Sequence, residues 1–172
     1  MMQTEHKIVG ETVTTPIIKY PTAFLEYLTT LLDFVCDSNI RIYHRTEAAS
    51  CATAFMRKDL VNDEKYGKKF WNRVAVSLGE FMHLCFATLK KNDVKPRFFA
   101  YIMRMMLAFA HAASPSQKKI LNEKIGADLS SLITDGKLVE NDKKMKNVNS
   151  SIQYICNRGL VAALSQLERL IT

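Results

Sequence analysis

Glycine and proline are scarce, with six and four copies in 172 residues. That supply is too small for the many tight turns of a β-sandwich, whereas helical bundles need few of either. No phosphate-cradling P-loop and no GxGxxG dinucleotide fingerprint occurs, which removes the commonest nucleotide-binding enzymes. Paired cysteines are also lacking. Cys36, Cys51, Cys85 and Cys156 lie in separate apolar segments with no CxxC spacing, so the sequence predicts buried free thiols acting as small hydrophobes. A reducing, cytoplasmic compartment follows. No segment approaches the roughly 18 apolar residues that span a bilayer. The densest stretch, 98–113, is broken by Arg104 and His111. The first twenty residues are polar and threonine-rich, without the apolar core of a secretory signal. A soluble protein without membrane contact is therefore expected, and the sequon at Asn149-Ser150-Ser151 reads as chance. Sustained alternation of apolar and polar residues is missing, as is any internal repeat.

What is present is ordinary globular material, 48% hydrophobic and 24% charged, enough for a core without metal or disulfide staples. Residues 1–19 show no helical period and are read as an extended arm, flexible or docked on a neighbouring copy. Residues 20–172 are read as the helical domain. Pro21 suits a first helical turn, and Phe24, Leu28, Leu31 and Val35 form a stripe that Leu25 and Leu32 widen. A second helix is expected over 46–60, with Ala48, Ala52, Phe55 and Met56 inward. In the third, Phe70, Val74, Leu78, Phe81, Cys85 and Leu89 fall at spacings of 4, 4, 3, 4 and 4, broadened by Trp71, Met82 and Phe86. The fourth, 98–113, is apolar nearly all round and should be enclosed by the others.

Ser114-Pro115-Ser116-Gln117 predicts a capping box that opens a fifth helix, kinked at Gly126 and stopped at Asp135-Gly136. After a lysine-rich stretch over 137–149, a last helix turns Ile152, Ile155, Leu160, Ala163, Leu164, Leu167 and Ile171 inward. The expected fold is all-α: a compact single-domain bundle of about six helices with an N-terminal extended arm.

Chemistry-bearing patterns are thin. Glu80-Phe81-Met82-His83 has the spacing used in di-iron bundles, but no second Glu-x-x-His pair exists to complete such a site, so both residues are assigned to a polar helix edge. No catalytic residue, metal ligand or cofactor site is assigned, and the chain is read as non-enzymatic. A cysteine–histidine nucleophile pair is the remaining enzymatic reading, because such partners meet only in space.

Charge is the stronger lead, at a net +7. Arg57, Lys58, Lys65, Lys68, Lys69 and Arg73 cluster before and into the third helix. Lys90, Lys91, Lys95 and Arg97 follow it, and Lys137, Lys143, Lys144 and Lys146 lie near the end. Antiparallel third and fourth helices would hold the first two clusters roughly 30 Å apart, a span that follows several phosphates. Tyr66, Trp71 and Tyr101 are the rings free to stack on unpaired bases. Arg97, Tyr101, Arg104 and His111 make a further stripe, either a solvated face or a groove that grips a phosphate or carboxylate.

Phe70-Trp71-Asn72-Arg73-Val74 resembles the Asn-Trp-Gly-Arg signature of the Bcl family of apoptosis regulators. Trp71 and Arg73 hold the matching places and Leu84-Cys85 fits the same register, while Phe70 and Asn72 replace the signature's asparagine and glycine. That resemblance implies a helix-binding groove in which Arg73 meets an aspartate of a partner helix.

The leading expectation is a basic helical module that binds nucleic acid, RNA before DNA, as a small ribonucleoprotein subunit or a nucleocapsid-like viral protein. Its candidate contacts are Arg57, Lys58, Lys65, Lys68, Lys69, Arg73, Lys90, Lys91, Lys95, Arg97 and Arg104, and its arm would support self-assembly. The alternative is a protein–protein adaptor, in which an acidic protein surface or a partner helix meets an apolar groove.

Overall fold

A computed structural model describes residues 21–62, 67–90, 95–141, 153 and 159–172. The arm assigned to 1–19 lies outside them, as do Lys143, Lys144, Lys146, Ile152, Ile155 and Cys156. Among the described residues every regular element is a helix: α1 (Pro21–Cys36), α2 (Ile42–Thr53), α3 (Lys58–Val61), α4 (Lys68–Lys90), α5 (Pro96–Ala112), α6 (Pro115–Asn141) and α7 (Leu160–Ile171). The fold is all-α, and one continuous apolar core draws on all seven helices.

The apolar stripes land largely where their spacing placed them, with Leu31, Phe70 and Cys85 only partly buried. Phe24, Leu28, Leu32 and Val35 bury one face of α1, and Val74, Leu78, Phe81, Met82, Phe86 and Leu89 bury that of α4. In α5, Phe98, Phe99, Ile102, Met103, Met105, Met106, Phe109 and Ala110 are all buried, so it is the enclosed element. Rings join α5 to α4 in antiparallel order, Phe81 to Phe98 at 6.3 Å and Trp71 to Phe109 at 6.2 Å. The capping box opens α6 as expected. The Ser114 amide donates to Gln117 Oε1 at 2.8 Å, and the Gln117 amide points at Ser114 Oγ at 3.4 Å.

Two helices differ from expectation in their bounds. The second helix breaks in two because Phe55 and Met56 donate to carbonyls only three residues back, which tightens the chain and drives both side chains inward. The fifth does not stop at Gly136 but continues to Asn141, with Gly126 inside it. Gly136 serves contact instead: a Cβ there would lie 2.8 Å from Val161 Cγ2, so its bareness lets α6 and α7 approach closely. Gly79 plays the same part between α4 and α6, where a Cβ would meet Lys124 Cβ at 2.9 Å.

The expectation of no repeat is corrected at the level of structure. α1 and α2 form one antiparallel hairpin, closed where Arg45 Nε donates to the Val35 carbonyl at 2.9 Å. α4 and α5 form a second, and α6 and α7 a third, joined by the Gly136–Val161 contact and the Ser130–Glu168 hydrogen bond. First helices then run parallel from hairpin to hairpin. Glu80 of α4 pairs with Lys124 of α6, 44 residues on, and His83 with Asp128, 45 on. Phe24 of α1 meets Trp71 of α4 in the same sense. Second helices follow suit, with Asn62 just after α3 donating to the Ala112 carbonyl of α5, 50 residues away. The chain repeats a shape without repeating its residues.

Candidate functional site

The antiparallel order of α4 and α5 sends the basic clusters to opposite edges of the stack. Lys58, Lys68, Lys69 and Arg73 are exposed around α3 and the start of α4, while Lys95 and Arg97 are exposed at the start of α5. Among the described residues of the first group, Arg57 alone is paired, through a two-pronged contact to Asp59 at 3.0 and 2.7 Å. Lys65 and Lys91 fall outside the described residues, as does the side chain of Lys90. The α5 stripe is a solvated face. Arg104 is exposed, Arg97 leans over Tyr101 at 6.0 Å, and His111 Nε2 lies 3.2 Å from the Gln166 amide nitrogen.

Two site expectations are overturned. Trp71 is fully buried between Phe24, Phe70 and Phe109, so it is closed to base stacking. The reason is register: Trp71 stands one residue from the Phe70 stripe and packs between Phe24 of α1 and Phe109 of α5, while Phe70 is only half-buried. Tyr101 is half-buried and Tyr66 lies outside the described residues. Of the described thiols none is fully buried, although Cys85 packs against the core. Cys36 and Cys51 are exposed and Cys85 is half-buried, because Cys36 ends α1 and Cys51 faces outward from α2. Glu80 and His83 do occupy a polar edge, where Lys124 Nζ lies 2.9 Å from Glu80 Oε1 and Asp128 Oδ2 lies 2.6 Å from His83 Nδ1.

At the edge where α2 and α5 begin, the stacked hairpins leave a pocket of about 430 Å³. Phe81, Phe98 and Phe99 form its apolar lining, Leu84 and Ile42 its rim, and Arg45 and Lys95 its cations. Arg45 is fixed by its bond to Val35, and its guanidinium lies 4.5 Å from the centre of the Phe98 ring. A shallower recess of about 310 Å³ adjoins it, sharing Ile42, Lys95 and Phe98 and adding Tyr43, Thr46, Glu47 and Arg97. Cys36 and Cys85 also face the pocket. Loss of solvent pushes the Cys36 thiol up to about 11 and the Cys85 thiol up to about 12, with Arg45 opposing more weakly in each case. Both stay protonated at neutral pH, which disfavours them as nucleophiles. Among the described residues no group of three or more histidines, cysteines or carboxylates is arranged to hold a metal. No helix among them is long and apolar enough to cross a membrane.

Sequence reasoning found Lys95 and Arg97 but missed Arg45, Ile42, Tyr43 and Leu84. Leu84 carried a usable signal, since it is a large apolar residue set off the α4 core stripe. Arg45 carried none, because its role depends on α5, some fifty residues later.

Neither the curated proteins nor the solved structures include a match to this chain. A family match does exist: residues 1–159 fit the family described as Myb-binding protein 1A-like, TPR repeats. TPR units are helix–turn–helix pairs of about 34 residues that stack on one another. The hairpins here have that form with a longer step of 44 to 45 residues between α4 and α6. The Bcl-like pentapeptide is thus a local similarity within another architecture, and over residues 1–159 the chain belongs to the Myb-binding protein 1A-like family of TPR-repeat proteins.

Proposed function

We propose that this chain is a non-enzymatic interaction module of stacked helix pairs, and that its partner is an acidic protein. The exposed cations carry this reading. Lys58, Lys68, Lys69, Arg73, Lys95, Arg97 and Arg104 pair with no carboxylate among the described residues, leaving their charge for a partner. The family match supports a protein partner, since stacked helical repeats offer broad surfaces to other chains and the family description itself speaks of binding. Unpaired cysteines fit a reducing interior compartment.

The second reading is nucleic acid, RNA before DNA, held on the edge formed by Lys58, Lys68, Lys69 and Arg73. Its specific support is geometric. The 23-residue α4 places that cluster about 30 Å from Lys95 and Arg97, a spacing that can follow a phosphate backbone.

One titration series separates the two. Labelled poly-glutamate, single-stranded RNA, duplex RNA and duplex DNA are added at low and moderate salt. Poly-glutamate binding that exceeds nucleic-acid binding supports the protein partner. Tight, strongly salt-dependent RNA binding, weakened by Lys68→Glu with Lys69→Glu, would replace it with the second reading. Binding to none of them at low salt refutes the module.

A further inference from the structure

Among the described residues six large apolar side chains stand exposed, and three of them, Ile42 (39%), Tyr43 (64%) and Leu84 (64%), surround the pocket at the edge where α2 and α5 begin. Exposed apolar side chains gathered around a cleft mark an interaction surface more often than scattered ones do. The pocket's size lies within the usual range for a bound side chain or small ligand. Its floor is aromatic, with Phe98 held beneath the Arg45 guanidinium, so an entering apolar group would meet packed rings. Cations stand on the same rim: Lys95 borders both recesses, Arg97 the shallower one and Arg45 the deeper one, against the single carboxylate of Glu47. In stacked helical repeats the turn edge is free of core packing and is a common binding face.

We infer that this edge pocket is the docking site for a short acidic amphipathic helix of a partner protein. One large apolar side chain of that helix enters between Leu84 and Ile42, and its flanking carboxylates meet Lys95 and Arg97. An aspartate or glutamate one helical turn from the anchor has the reach to do so. The inference rests on the reading of the chain as a module for an acidic protein, and it narrows that surface to one edge.

Labelled helical peptides test it by fluorescence anisotropy. One carries acidic residues around a single phenylalanine anchor, a second has the anchor changed to serine, and a third has the acids changed to lysine. Poly-glutamate without an anchor runs beside them. The acidic, anchored peptide should bind at least about tenfold more tightly than either altered peptide. Leu84→Glu, and separately Lys95→Glu with Arg97→Glu, should each weaken it about tenfold or more. Lys68→Glu with Lys69→Glu at the opposite edge should change it less than about twofold. These positions are exposed, and unchanged melting and Trp71 emission would confirm that each variant folds. Equal binding of the serine-anchor peptide, or pocket variants that bind like the parent, overturns the docking site. If poly-glutamate still binds in that case, the module reading stands and only the pocket is lost. Failure of every acidic probe overturns both.

Discussion

Trp71 is the only tryptophan, and it is the residue on which core and surface readings of α4 diverge most. Its side chain has no solvent exposure and lies among rings at 5.2 Å (Phe70), 6.2 Å (Phe109) and 6.5 Å (Phe24). Those rings come from α1, α4 and α5, so truncation to alanine opens a cavity where two hairpins meet. Aromatic-to-alanine changes at such sites cost about 3–5 kcal/mol. Against a typical total of about 5–15 kcal/mol, that is a large share. At about 2–4 °C per kcal/mol for a chain of this size, Trp71→Ala should lower Tm by roughly 6–20 °C. Trp71→Phe should cost clearly less. It keeps an aromatic ring and removes an indole N–H that is buried without a hydrogen-bond partner among the described residues, itself an unfavourable group by about 1–3 kcal/mol. Melting followed by far-ultraviolet circular dichroism measures both variants without needing the lost fluorophore. In the parent, Trp71 emission should be blue-shifted, resist acrylamide quenching, stay unchanged on adding single-stranded RNA, and move red only on unfolding. Water-like emission in the native protein, or a Trp71→Ala Tm within about 2 °C of the parent, would refute the placement.

Other residues offer independent checks. Gly136→Leu should destabilise by about 1–3 kcal/mol through overpacking against Val161, and Val161→Ala in the same chain should recover part of that loss in a urea-melt cycle. Gln117→Ala leaves the Ser114 amide without its acceptor and should cost about 1 kcal/mol by chemical denaturation. At pH 8 the Cys36 thiol, raised to about 11, carries about 100-fold less thiolate than one at the ordinary value of 9.0; its greater intrinsic nucleophilicity recovers about tenfold. Residue-resolved alkylation should therefore find Cys36 about tenfold slow, Cys85 slower still, and both accelerating as pH rises toward 11–12; ordinary rates at both would refute the desolvated thiols. The sign for stability follows, because the folded state holds these protons more tightly. The contribution is complete below pH 9 and is lost as pH climbs through about 11 and 12, so a stability that rose over that window would contradict it.

Local rules were legible where the physics is local. Most of the α4 stripe, the enclosed α5 and the Ser114–Gln117 box depend on periodicity and on neighbours within one turn, and these appear as read. Misreadings arose where distant contacts override propensity. Glycine is a poor helix former, yet Gly136 stays within α6 because Val161 needs its missing side chain. Cysteine is usually buried, yet Cys51 faces solvent because the buried alanines Ala48, Ala49 and Ala52 set the face of α2. Trp71 belonged to a charged neighbourhood in sequence and to the core in space. For the candidate site, Lys95 and Arg97 were visible as charge, but the apolar rim that gives them a context was not.

That context follows from stacking. When successive hairpins repeat with parallel first helices, their internal turns fall on one edge and the connections between hairpins on the other. The start of α2 and the start of α5 therefore share an edge, which is how Arg45 comes to lie over Phe98, fifty-three residues later. The contact of Asn62 with the Ala112 carbonyl marks the opposite edge, where Lys58, Lys68 and Lys69 stand. A single basic protein in composition thus becomes two chemically different edges in space. One joins cations to an aromatic pocket, as an amphipathic acidic helix would require. The other offers charge that suits phosphates, with Trp71 sealed away from bases. Substitutions confined to one edge can therefore test the protein-partner and nucleic-acid readings separately, and the stacking of the hairpins is what makes that separation available.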